Sequence, residues 1–128
     1  MDPLTLLVEY TLGYEKNAPT PTGKQNAWWH VLAGIASYDW TDRLNTAARA
    51  EVFIDSQAAR TFGFASTGPV GHVNLGEFTL TAAYKFTAKL LGRAEFRQDW
   101  SDKRVFAVGN TGRDGAQTTL ALQAIYGF

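Results

Sequence analysis

The sequence predicts an all-β fold, an antiparallel up-and-down transmembrane β-barrel with about six strands in this chain. Three observations carry it: apolar residues alternating at period two, strands longer than soluble sheets use, and aromatic residues gathered at both ends of the apolar face. The 128 residues suffice for one domain. Twelve basic and twelve acidic side chains cancel, so charge gives no reason to expect a nucleic-acid partner. With no cysteine there is no disulfide, thiolate metal site or cysteine nucleophile. No apolar run approaches the ~20 residues of a spanning helix, which excludes a helical membrane protein. The N-terminus also lacks the regions of a signal peptide.

The first strand sets the pattern. Leu4, Leu6, Val8, Tyr10, Leu12 and Tyr14 fall on even positions, against Thr5, Leu7, Glu9, Thr11 and Gly13. The parity continues through Trp28, Leu32, Gly34, Ala36, Tyr38 and Trp40, although Trp29, Val31 and Ile35 blur the opposite face. In the third strand Leu44 to Ile54 alternate with Asn45, Arg49, Glu51 and Asp55, so every charge lies on one side, whereas a helix would scatter them. Three more segments repeat it: Phe78 to Phe86, Leu90 to Asp99, and Leu120 to Phe128. These runs reach about 10 to 14 residues, beyond the usual 5 to 6 of globular strands and matching a tilted bilayer crossing.

Tyr38, Trp40, Tyr84, Phe86, Tyr126 and Phe128 mark one end of the apolar face, and Tyr14, Trp28 and Trp100 the other. They are the expected membrane-interface aromatics, two belts flanking hydrocarbon. The bland alternative is that they fill a soluble core, but a small core seldom needs strands this long. Lipid bilayer is thus the expected environment.

Connections alternate in length. Tight turns are expected at Thr41-Asp42-Arg43 and Thr87-Ala88-Lys89, and long polar loops at Lys16–Asn26, Ser56–Gly76 and Ser101–Ala116, the arrangement of outer-membrane barrels. Tyr38-Asp39-Trp40-Thr41-Asp42-Arg43-Leu44 matches Tyr84-Lys85-Phe86-Thr87-Ala88-Lys89-Leu90 in type and spacing, and Arg49-Ala50-Glu51 recurs as Arg93-Ala94-Glu95. The repeating unit is a hairpin of roughly 45 residues, dividing a single barrel segment, 1–128, into units of about 1–40, 41–86 and 87–128. Asp2-Pro3-Leu4 falls where the later tight turns fall, so an earlier strand is expected before it and Met1 reads as an added start. Six strands are too few to close a barrel, and an open edge cannot face hydrocarbon. Closure is therefore expected from missing N-terminal strands of a longer barrel or from a homo-oligomer.

These segments, together with Arg93-Ala94-Glu95-Phe96-Arg97, Asp99-Trp100-Ser101-Asp102 and the terminal Tyr126-Gly127-Phe128, resemble the OmpL-like outer-membrane β-barrel porins of Gram-negative bacteria. The resemblance covers nearly the whole chain as a C-terminal half. It implies a passive diffusion channel for small solutes, an outer-membrane location for the full-length parent, and no particular substrate. It also implies that Tyr126 and Phe128, with Ala124, Leu122 and Leu120 before them, form the signal read by the outer-membrane assembly machinery. The chain departs from the family in lacking N-terminal strands and a signal peptide.

Opposite the apolar face stand Glu9, Asp39, Arg49, Glu51, Lys85, Arg93, Glu95, Arg97 and Asp99, candidate pore-lining residues of mixed sign. Equally, they pair with one another and fill a narrow lumen. Glu51 and Glu95 invite comparison with an acid–base pair, yet adjacent arginines keep both ionised and no pocket is implied, so no catalytic residue and no enzyme activity is expected. His30 and His72 lack ligand spacing, so no metal or cofactor is expected, and His30 fits an interfacial belt. Gly63–Gly76 and Gly109–Gly115 lack the lysine and strand-to-helix context of a phosphate loop. Two other readings stay open: a soluble β-barrel holding a small apolar ligand among inward-turned aromatics, and a non-conducting structural barrel with a filled lumen.

Overall fold

Pairing preserves the parity of the sequence across the sheet except beyond one bulge near the far end of the first strand, so the period-two pattern of each strand becomes a property of two continuous faces. The computed structural model describes residues 3–61, 71–109 and 112–128. Within them run β1 (Leu4–Thr20), β2 (Gly23–Asp39), β3 (Leu44–Asp55), β4 (Val73–Lys85), β5 (Leu90–Ser101), β6 (Phe106–Val108), β7 (Gly112–Asp114) and β8 (Ala116–Tyr126). One antiparallel sheet has the order β1-β2-β3-β4-β5-β8, and β6 and β7 form a separate short hairpin. The fold is all-β and up-and-down, the sheet is not closed into a barrel, and β1 and β8 are its edges.

Up to the bulge in β1, even residues meet even residues along the six-stranded sheet, as in Leu6↔Ala36, Ala36↔Ala48, Ala48↔Leu80, Leu80↔Phe96 and Phe96↔Leu120. This even face is apolar and bare: Leu6 is 68% exposed, Val8 75% and Leu122 89%. Odd residues such as Glu77, Thr79 and Asp99 are buried on the other face, which the long connections cover at one end, while Leu7 and Ile125 of the same face stay exposed.

The register also fixes a tilt. Tyr38 shares a row with Ala82 on β4, and Tyr84 lies two residues beyond it; Tyr84 shares a row with Ala124 on β8, and Tyr126 lies two beyond that. At the opposite end Trp100 shares a row with Tyr10, and Tyr14 lies four residues further along β1, four strands away. Both aromatic lines therefore step by one residue per strand in the same direction. A step of ~3.3 Å along per ~4.8 Å across corresponds to strands tilted about 35°, the inclination barrel closure demands. On β2 the ten residues from Trp28 to Tyr38 then separate the two lines by about 27 Å along the barrel axis, close to the ~25 Å apolar band of outer-membrane barrels. Within the lines the rings pair: Tyr14 with Trp28 at 4.3 Å between centroids, Tyr38 with Trp40 at 4.7 Å, Tyr84 with Phe86 at 5.1 Å and Tyr126 with Phe128 at 5.8 Å.

The two tight turns are built alike, as their sequences suggest. The Thr41 hydroxyl accepts from the N–H groups of Arg43 (3.2 Å) and Leu44 (3.0 Å), and the Thr87 hydroxyl from those of Lys89 (3.2 Å) and Leu90 (3.0 Å). Leu44 and Leu90 carbonyls accept in return from Trp40 and Phe86 at 3.0 and 2.9 Å. Replacing either threonine by valine keeps the shape and removes the acceptor. Thr41→Val and Thr87→Val are each expected to destabilise by about 1 kcal/mol, read by denaturant titration.

Three expectations about connections are corrected. Lys16–Asn26 is not a loop: β1 and β2 extend through it to a two-residue turn at Pro21-Thr22, which Gly23 closes at φ 115°. A bulge between Glu15 and Ala18, with Asn17 in the left-handed region at φ 56°, absorbs the register shift. Pro19 is tolerated because β1 is an edge strand, where a missing N–H breaks no second ladder. The second long connection ends earlier than expected, since β4 starts at Val73 and not Phe78. The stretch Ser101–Ala116 is not unstructured but folds back as the β6–β7 hairpin. Met1, Asp2 and parts of the stretches Gly63–Gly76 and Gly109–Gly115 lie outside the described residues.

Candidate functional site: the charged face and its roof

All nine charged residues expected opposite the apolar face occupy odd positions of the sheet or its ends, as the register requires. One row crosses all six strands as Glu9↔Ala33↔Glu51↔Glu77↔Asp99↔Gln117. The next row towards the tight turns is Leu7↔Ile35↔Arg49↔Thr79↔Arg97↔Thr119. A row of carboxylates thus lies beside a row holding two guanidiniums.

Glu51 directly opposes Glu77, and Glu77 opposes Asp99, an arrangement that repels. The adjacent arginines offset it. Arg49 bridges Glu51 and Glu77 at once, and the Thr79 hydroxyl donates to Glu77 as well. Arg97 grips Asp99 through Nε (2.9 and 3.0 Å to the two oxygens) and Nη2 (2.7 Å). Further along, Arg93 approaches Glu95 at 3.9 Å, and Glu95 accepts from the Thr81 hydroxyl at 3.1 Å. Asp39 accepts from the Asn45 amide at 2.8 Å, and Glu9 from the Thr11 hydroxyl at 3.3 Å. Lys85 is exposed and forms no ion pair among the described residues. Most pairing therefore runs along a strand, between residues two apart, with Arg49 to Glu77 crossing to the next strand.

Sequence reasoning missed Glu77, the most buried carboxylate of the row at 4% exposure. Its odd parity was the available signal; starting the strand at Phe78 hid it. It also missed the residues that hold loops over this face. The Asp55 carboxylate, fully buried, accepts from the N–H groups of Ala59 (3.0 Å), Arg60 (2.7 Å) and Thr61 (2.8 Å) and from the Thr61 hydroxyl (3.0 Å). Arg60 then lies 3.9 Å above the Trp29 ring and pairs with Glu15 at 2.8 Å. Asp55→Ala leaves those donors without an acceptor, and is expected to destabilise the turn by about 2 kcal/mol, read as lost hydrogen-exchange protection at Ala59–Thr61.

The second connection is tied down by Asp102, which accepts from the Asn74 N–H (2.9 Å) and side-chain amide (3.0 Å) and lies 3.5 Å from His72. Val105 and Phe106 pack with Ala58, Val73 and Leu75 in a small buried cluster. His30 Nδ1 lies 2.8 Å from the Tyr10 hydroxyl, one row inside the Tyr14–Trp28 pair. Among the described residues no group of three His, Asp or Glu side chains is placed to hold a metal ion.

No match was found among curated proteins or among solved structures. The family described as "Putative beta-barrel porin-2, OmpL-like" matches residues 1–128, the full span over which the tilted strands, tight turns and charged rows recur, and the chain belongs to that family.

Proposed function

We propose that this chain is part of the wall of an outer-membrane passive diffusion channel for small solutes, with its even face towards lipid and its odd face towards water. The observation that carries the reading is the pair of aromatic lines. They slope together by one residue per strand and enclose an apolar band about 27 Å high, as expected of strands crossing a bilayer at a tilt. Membership of a porin-like family supports a porin-type role generally. A soluble barrel with an apolar ligand inside would need the aromatic face covered, and here that face is bare while the long connections lie over one end of the charged face.

Because β1 and β8 have unpaired edges, the reading requires further strands or further copies to complete the barrel. Tyr126 and Phe128 would serve the assembly machinery. The test combines light scattering in detergent micelles with single-channel recording in planar bilayers. Stepwise conductance from a defined species is the expected result; a species monodisperse in buffer without detergent, or one that inserts and never conducts, contradicts it.

A further inference from the structure

Leu7 and Ile125 stand on the odd face, one on each edge of the sheet, and are 53% and 44% exposed. Among the described residues of the six strands, every other exposed large apolar side chain is even-numbered. We propose that these two meet across a seam between copies of this chain: β1 of one copy pairs antiparallel with β8 of another, Leu7 opposite Ile125, and copies joined head to tail in this way close the barrel. The inference rests on the lipid-facing reading of the even face above and not on conductance.

The aromatic lines set the register. Around a closed barrel each line runs on from one copy to the next. One passes through Tyr38, Tyr84 and Tyr126, dropping two residues for every two strands. Two strands beyond β8 comes β2 of the next copy, so its Tyr38 belongs two residues past Tyr126, level with Phe128. Tyr38 pairs with Leu4. The next copy's Leu4 therefore falls opposite Phe128, its Leu6 opposite Tyr126 and its Leu7 opposite Ile125. In this register β8, from Tyr126 back to Ala116, covers β1 from Leu6 as far as its bulge.

The free backbone groups fit the same pairing. The Asp39 N–H donates to the Pro3 carbonyl and the Gly127 N–H to the Lys89 carbonyl, both at 2.8 Å. Odd residues thus turn their main-chain groups towards β2 on one edge and β5 on the other, and even residues of both edges turn theirs outward. Even opposite even is then the hydrogen-bonded pair, as in Val8 with Ala124. The odd positions between them are non-hydrogen-bonded pairs, where side chains approach most closely. An edge left open in hydrocarbon has no water to satisfy it.

Those two conditions suit any strand that completes the barrel, and the side chains single out a second copy. Leu7 pairs with Ile35, and Ile125 with Leu91. The seam joins them into one row, Leu91 and Ile125 of one copy beside Leu7 and Ile35 of the next, so that two half-bare aliphatic pairs cover each other. A slip of two residues either way sets Leu7 against Gln123 or Glu9 against Ile125. The contact is head to tail and ends only by closing into a ring. Two copies of six strands supply twelve, above the eight at which such barrels begin.

The chain has no cysteine, so disulfide trapping reads the seam directly. Thr11 and Ala121 are exposed odd residues that the proposed register sets opposite each other. Thr11→Cys and Ala121→Cys chains, one of them carrying a mass tag, are refolded together in detergent micelles and oxidised. Bridges between the two chains are expected to form about tenfold faster than in mixtures of Thr11→Cys with Thr119→Cys or Gln123→Cys, whose diagonal separation exceeds the reach of a disulfide. Light scattering of the unmodified protein is expected to give a whole multiple, two or more, of 14.1 kDa. A single-copy mass, or trapping as fast at Thr119 or Gln123 as at Ala121, overturns this inference; period-two lipid exposure along β4 in the same protein then leaves the lipid-facing reading intact. A chain that is monodisperse in buffer without detergent overturns both.

Discussion

Leu80→Arg is expected to destabilise the protein in lipid by about 2–4 kcal/mol, the penalty for an arginine near the midplane of an outer-membrane barrel's lipid face. Leu80 sits in the middle of β4, in the row Leu6↔Ala36↔Ala48↔Leu80↔Phe96↔Leu120, and is 45% exposed on the bare face. The neighbouring Thr81→Arg is the control. It points to the charged face beside Glu95, whose carboxylate the Thr81 hydroxyl already contacts at 3.1 Å, and it is expected to change stability by under about 1 kcal/mol. Equilibrium unfolding from lipid vesicles measures both. Equal penalties for the two would mean that the faces do not differ in solvent.

The second large effect comes from a glycine. A Cβ added at Gly13 would overlap the indole of Trp29, its directly paired neighbour on β2, so the ring must leave. Displacing it also removes the surface on which Arg60 stacks and loosens the turn that Arg60 anchors through Glu15. Gly13→Val is expected to destabilise by about 3 kcal/mol, the upper end for overpacking. Gly34→Ala meets nothing within 4 Å and is expected to stabilise by about 0.5 kcal/mol, because glycine in a strand is entropically unfavourable. Gly76, covered by Trp100 in the same manner on the even face, should follow Gly13 in direction. Denaturant midpoints of the three variants give the comparison.

Much of this architecture was legible because each strand is constrained on both faces. Parity alone assigns Leu80 and Thr81 to opposite faces of the sheet, and the repeated Trp40-Thr41-Asp42-Arg43-Leu44 and Phe86-Thr87-Ala88-Lys89-Leu90 segments announce two turns of one design. What escaped lies outside the apolar band, where that constraint lapses. From Lys16 to Asn26 the side chains are polar and two prolines intervene, yet the ladder continues, since backbone pairing needs no apolar face once the strand is past the aromatic line. Glu77 escaped for the same reason, standing beside the strand start that hydrophobicity alone marks at Phe78. Trp29 blurs the alternation of β2 because it fills the space above Gly13, a pairing visible only once the register is known. The roof depends on two apolar residues in a polar stretch, Val105 and Phe106, meeting a turn nearly fifty residues earlier in the chain. No local pattern encodes that contact.

The account stands on one claim, that even and odd residues of the same strand face different solvents. A nitroxide scan along β4, residues 73–85, in the reconstituted protein tests it directly, with each label's accessibility to oxygen, which partitions into lipid, compared with that to a water-soluble nickel complex. The account predicts strict period two between Phe78 and Tyr84: oxygen-rich at Phe78, Leu80, Ala82 and Tyr84, and nickel-accessible or loop-protected at Thr79, Thr81 and Ala83. Labels at Leu80 and Ala82 that see the nickel complex as readily as those at Thr81 and Ala83 would contradict it.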